Sequence, residues 1–214
     1  ADVIMLGWVS QTALAASSLA SQIMFILNLV YTGVASGVVM LAAQYWGKQD
    51  TKSIEQIMGI AMRLSVLIST CFFILSFFFP GLLMKIFTSE PDLIQAGIPY
   101  LRIVGFSYLF MGVSQIYLCT MRSIERVIFA TATNASALAL NIVLNALFIF
   151  GLFGFPKMGI QGVALATSVA RGIELVICLV DACRFRLIRF RISTMFERNR
   201  LLFRDFMVQI RTVM

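Results

Sequence analysis

The sequence predicts an all-α integral membrane protein, on three observations. Of its 214 residues, 60% are hydrophobic and 13% charged, whereas soluble domains run at roughly 45–50% and about 25%. A chain of this length has no core large enough to hide the surplus, so the surplus is expected to face lipid. Its apolar runs are also continuous, as in Ser65–Phe79. That pattern departs from the strict alternation of a transmembrane β-barrel and points to helices, which satisfy their own backbone within hydrocarbon. Finally, polar and Gly/Pro-containing breaks cut the chain into five segments, each longer than the ~20 residues needed to cross a bilayer.

In chain order, Ala1–Val9 is apolar but too short to span, and reads as the tail of a helix whose start is absent. The five spanning segments follow at Thr12–Gln44, Ile54–Phe79, Gly97–Met121, Val127–Phe150 and Gly159–Cys183. The expected fold is therefore a six-helix transmembrane bundle with its first helix truncated. Small residues at close spacing, among them Ala13, Ala16 and Ala20, Gly33 and Gly37, and Gly159, Gly162 and Ala166, let helix backbones approach closely in lipid. No cleavable signal peptide is evident at the start.

The breaks set an orientation. Lys48 and Lys52, then Arg122 and Arg126, then the eight arginines between Arg184 and Arg211 lie on one side of an alternating helix series. The opposite side offers Lys85 and Lys157. Positive residues accumulate on the cytoplasmic side, so the basic breaks are expected there. Arg184–Met214 mixes arginines with Leu187, Phe190, Leu202, Phe203 and Phe206. It reads as an interfacial amphipathic helix on anionic lipid. Nucleic-acid binding is the competing account of the arginines, and none is expected because a membrane-tethered linker explains them.

Chemistry is bounded by what is missing. The chain has no His, which excludes a His-ligated metal and a His general base. The four Cys form no C-x-x-C pair and sit in or beside apolar runs, as small buried hydrophobes do.

Polar side chains deep in a span are costly and mark candidate sites. At ~1.5 Å rise per residue, Asn145 lies roughly 9 Å from the outer end of its segment and Asn141 roughly 15 Å. Thr167 and Asp2 each fall at roughly 12 Å on two other helices. Asn141 and Asn145 are four residues apart and share a helix face, which Asn134 extends. A carboxylate, two amide oxygens and a hydroxyl at one depth suit a proton or a hard cation. Interhelical hydrogen bonding alone is the competing reading, and Asp2 has its own alternative as an exposed chain end. Arg171 and Glu174, three residues apart, form either a neutralised structural pair or a cation competing for the carboxylate. Arg63 and Arg102 lie nearer segment ends, where they can snorkel. Gln22 and Asn28 are candidates to line a cavity, or to act as interhelical glue.

Six motifs in order carry a family resemblance. D-x-x-M-x-G at Asp2–Gly7 and A-L-A-A at Ala13–Ala16 resemble the first-helix region of multidrug and toxic compound extrusion (MATE) transporters. A-Q-Y-W-G-K at Ala43–Lys48, P-Y-L-R-I at Pro99–Ile103, N-I-V-L-N-x-x-x-I-F-G at Asn141–Gly151 and G-I-Q-G-V-A-L-A-T at Gly159–Thr167 follow in the family's order. The resemblance implies one lobe of a twelve-helix, two-lobed transporter. Residues 1–186 would be the N-terminal lobe, and 187–214 the basic linker approaching helix 7. It implies a secondary antiporter in the bacterial plasma membrane that exports amphiphilic, often cationic small molecules in exchange for H⁺ or Na⁺. Asp2, Asn141, Asn145 and Thr167 would be the ion-coupling residues. Gln22, Asn28, Asn134 and Arg171 are candidates for the substrate cavity. No cofactor is expected, and no metal other than Na⁺ at the coupling site. The expected partners are the substrate, the bilayer and the C-terminal lobe of the same protein, in a monomer. Some family members carry Asp at the position of Asn145; the amide here leaves a single carboxylate and favours H⁺. Two other functions compete. A flippase for lipid-linked oligosaccharides would use Arg63, Arg102 and Arg171 to hold a pyrophosphate. A membrane enzyme lacks any nucleophile motif or carboxylate cluster.

Overall fold

A computed structural model describes residues 11–151, 158–184 and 200–213. Seven helices run through them: α1 (Gln11–Gly47), α2 (Thr51–Phe78), α3 (Pro80–Phe87), α4 (Pro91–Ser123), α5 (Val127–Phe150), α6 (Gly159–Arg184) and α7 (Arg200–Val213). No strand occurs among the described residues. Helices α1, α2, α4, α5 and α6 are long and apolar enough to cross a bilayer, and they coincide with the five expected segments.

The exposure pattern also fits a bilayer. Leu67 is 67% exposed and Ile128 87%, while Ser65, Ser69, Ser107, Ser114 and Thr120 are buried. Among them, Ser69 donates to Ser65 O (2.8 Å) and Thr120 to Ile116 O (2.9 Å), each a carbonyl of its own helix.

Two elements depart from expectation. The break after Phe79 contains the short helix α3, because Pro80 stands at its first turn, where its missing N–H costs no hydrogen bond. Helix α4 begins at Pro91 rather than Gly97 and runs through Pro99. Pro91 and Asp92 suit a helix start, proline for its fixed φ and the carboxylate for the dipole.

The two tight basic connections are built alike. Gln49 and Glu125 take positive φ, 59° and 67°. The next residue's N–H reaches five residues back, Asp50 to Tyr45 O and Arg126 to Met121 O, each at 3.0 Å. This is a Schellman closure with a side chain where glycine is usual. Asp50 then caps α2: Ser53 donates its N–H to Oδ1 (3.1 Å) and its hydroxyl to Oδ2 (2.6 Å). The bonds from Ser53 hold the Asp50 carboxyl below its ordinary value.

Cα packing divides the chain into two compact units. The first comprises Ala1–Leu27, Thr70–Phe110 and Ala135–Ile173. Within it Ser168 donates to Ile103 O on α4 (2.9 Å), and Met84 of α3 covers Gly97.

The second unit comprises Asn28–Ser69, Met111–Asn134 and Glu174–Met214. Its core gathers Val38, Ile57, Ile116, Leu118 and Met121 with Leu202 and Phe206 of α7. Phe203, Met207 and Val208 of α7 are exposed. Helices α2 and α4 meet at Gly112, whose carbonyl accepts from Ser65 (2.7 Å). A Cβ at that position would overlap Ser69 and approach the Tyr31 hydroxyl to 2.9 Å. Tyr31 and Ser69 are themselves hydrogen-bonded. The expected linker, residues 187–214, is described only over α7.

Candidate functional site

The polar layer expected on α5 and α6 forms a continuous hydrogen-bonded chain in the first unit. Asn145 donates through Nδ2 to Asn141 Oδ1 (3.1 Å), and Asn141 donates through Nδ2 to Thr167 Oγ1 (3.2 Å). Asn145 is fully buried and Thr167 8% exposed, while Asn141 between them is half-buried. The four-residue spacing puts both amides on one face of α5.

A close helix crossing brings Thr167 to them. Gly162, five residues before Thr167 on α6, lies so near α5 that a Cβ there would sit 2.9 Å from Phe148 Cβ and 3.1 Å from Phe148 O. Only a residue without a side chain permits that approach. Asn141 Oδ1 and Thr167 Oγ1 keep acceptor capacity beyond the bonds they receive, and the threonine hydroxyl keeps its own proton to donate. The arrangement can therefore present oxygen lone pairs to a proton donor or a small hard cation. Asp2, the carboxylate expected beside them, lies outside the described residues.

The remaining expected residues are placed individually. Glu174 is fully buried and Arg171 half-buried on α6. Asn134 is half-buried in the second unit, and Gln22 is exposed in the first.

Asn28 lines a cavity of about 920 Å³ contained in the second unit. One wall is a stripe of α1 from Asn28 through Thr32, Ser36 and Met40 to Gln44; the other is Gln115, Cys119, Arg122 and Ser123 of α4. Gln22, Asn134, Arg171, Arg63 and Arg102 are not among its lining residues. The volume is that of a small-molecule site.

A further cluster was not singled out from the sequence. Arg126, in the connection between α4 and α5, grips Asp181 of α6 through both guanidinium nitrogens (Nη1–Oδ2 2.7 Å, Nη2–Oδ1 2.9 Å). The Tyr117 hydroxyl donates to the same carboxylate (2.7 Å). Donating to the Asp181 carboxylate pushes the Arg126 guanidinium above its ordinary value. The Arg126 and Asp181 side chains are 27% and 15% exposed, so the pair is largely desolvated. It ties the end of α6 to the α4–α5 connection. The available signal was Asp181 itself, a carboxylate inside an otherwise apolar run.

A family model described as MatE matches residues 1–147. The "Uncharacterized transporter YisQ" of Bacillus subtilis is 26% identical over 180 residues, which is 84% of this chain and 40% of that protein. The "Multidrug resistance protein NorM" of Burkholderia vietnamiensis is 29% identical over 193 residues, 86% of this chain and 41% of that one. The chain thus spans about two fifths of the length of these curated relatives. Among solved structures, a MATE transporter in the bent conformation aligns with a TM-score of 0.88 at 17% identity, covering 98% of this chain and 46% of that one. An outward-facing multidrug resistance MATE transporter of the MOP superfamily aligns at 0.85 and 18% identity, covering 96% and 45%. At these identities the structural likeness establishes the fold, which is one lobe of those transporters.

Proposed function

The chain belongs to the MatE family, whose members are membrane transporters rather than enzymes, and on that premise we propose that it is the N-terminal lobe of a secondary antiporter exporting amphiphilic small molecules. The observation that carries this reading is the Asn145–Asn141–Thr167 chain, a largely buried run of amide and hydroxyl groups crossing from α5 to α6. A hydrophobic bundle gains nothing from burying such groups unless they are paired, and a polar site within a span is a functional candidate by default.

In this reading Asp2 is the coupling carboxylate, facing Asn141 and Thr167, and H⁺ is the coupling ion. A Na⁺ site would ask for more negative charge than one carboxylate and two amides supply. Residues 187–214 link this lobe to a second, C-terminal one. The transporter is a multi-pass monomer of the bacterial plasma membrane with its basic connections in the cytoplasm. Substrate sites near mid-membrane between lobes and rocking of one lobe against the other are general features of such carriers.

The test is efflux of a fluorescent dye from proteoliposomes holding the full-length transporter under an imposed pH gradient. Asp2→Asn is expected to lower pH-driven efflux at least about tenfold while leaving dye binding in place. Efflux by Asp2→Asn equal to that of the unmodified protein removes Asp2 from the coupling role.

A further inference from the structure

The described lining of the α1–α4 cavity is positively charged. Among the described residues lining it, Arg122 is the one charged side chain, and no carboxylate is present. Arg122 differs from its neighbour Arg126. The latter is neutralised by Asp181 through two short bonds, whereas Arg122 makes one long contact, from Nε to Leu118 O of its own helix (3.4 Å). Its terminal nitrogens have no acidic partner among the described residues.

Uncharged polar groups line the cavity beside Arg122. Gln115 and Arg122 are seven residues apart and share one face of α4. Gln44 faces the same cavity from α1. The hydroxyls of Thr32, Ser36 and Ser123 donate to carbonyls of their own helices at 2.9, 2.7 and 3.0 Å. The rest of the wall is mainly apolar, with Ala35, Val39, Met40 and Ala43 among it. An apolar wall suits a hydrocarbon or aryl body, and the Arg122 guanidinium suits a planar anionic head. A lipophilic cation would find no carboxylate among the described lining residues, and its charge would be opposed by Arg122.

We propose that this cavity binds amphiphilic anions, a carboxylate or sulfonate head on an apolar body, with Arg122 as the residue that selects the charge. Calling the anion a cargo rests on the export reading above; the charge preference of the cavity does not.

The test uses the full-length protein in nanodiscs of zwitterionic lipid, with empty discs as background. Two fluorescent probes of opposite charge are titrated, 8-anilinonaphthalene-1-sulfonate and ethidium. The sulfonate is expected to bind at least about tenfold more tightly. Arg122→Gln is expected to weaken the sulfonate about tenfold and leave ethidium unchanged or tighter, with an unaltered thermal midpoint. Gln115→Leu, on the same face, is expected to weaken the sulfonate by a smaller factor. The proposal is overturned by equal binding of the two probes, or by sulfonate affinity indifferent to Arg122→Gln. It is also overturned if adding one fifth phosphatidylglycerol to the discs abolishes sulfonate binding, because the cavity is then a site for anionic lipid. Loss of pH-driven efflux in Asp2→Asn with no charge preference in this assay would sink this proposal alone. The converse result would sink the coupling reading alone.

Discussion

Gly162→Val is expected to destabilise the protein by about 3 kcal/mol and to break the Asn141–Thr167 contact. Overpacking a well-fitted contact typically costs about 1–3 kcal/mol. Here the upper end applies because the obstruction includes backbone: the added Cβ would meet Phe148 O at 3.1 Å and Phe148 C at 3.2 Å. A flexible side chain could swing aside, but a helix backbone cannot. Helices α5 and α6 must therefore separate, and a bond already at 3.2 Å does not survive even a small displacement. In a bilayer nothing hydrophobic offsets this, because lipid tails are as apolar as the side chains that lose contact. Reversible unfolding in mixed micelles measures the stability loss. Gly162→Ala, one methyl rather than three carbons, is expected to show a smaller loss of the same kind.

Asp181→Ala is expected to cost about 2–4 kcal/mol, the second large effect. Removing one partner of a largely desolvated ion pair leaves the other charge unpaired, at about 3–5 kcal/mol for a fully buried pair. The 27% and 15% exposure of these side chains moves the expectation down. Asp181→Ala also strips the Tyr117 hydroxyl of its acceptor, so Tyr117→Phe, at about 1 kcal/mol, is a milder probe of the same cluster. Because both side chains serve one interaction, Arg126→Ala combined with Asp181→Ala is expected to cost clearly less than the sum of the single changes. Additive losses would show that the two residues act separately.

What the sequence disclosed follows from the range over which each interaction acts. The five spans were legible because an unbroken apolar run is a local signal that hydrocarbon imposes directly. The Asn141–Asn145 face was legible because four-residue spacing on a helix is geometry. Thr167 was reached by counting depth, since two helices crossing the same slab place residues of equal depth side by side. Gly162 stood out as one of a small-residue series, although its contact with Phe148 could not be named. Helix α3 was not expected because Pro80 and Gly81 fall in a Gly/Pro-containing break, although proline also starts helices. The Arg126–Asp181 pair escaped because its members are 55 residues apart and each has a local explanation, one as a loop charge and the other as a charge near a helix end. The cavity was half legible: Asn28 was picked out as an intramembrane amide, while Arg122 was counted only towards orientation.

The central claim is that the α5–α6 oxygen chain takes part in ion coupling rather than only holding two helices together. Asn141→Leu keeps the shape of the side chain and removes both its donor and its acceptor. The direct measurement compares, in proteoliposomes of the full-length transporter, dye efflux driven by a pH gradient with dye exchange at equal pH on both sides. The account predicts at least about a tenfold loss of gradient-driven efflux by Asn141→Leu, with exchange retained. Gradient-driven efflux at the unmodified level would contradict it, and would leave the chain of amides as helix packing alone.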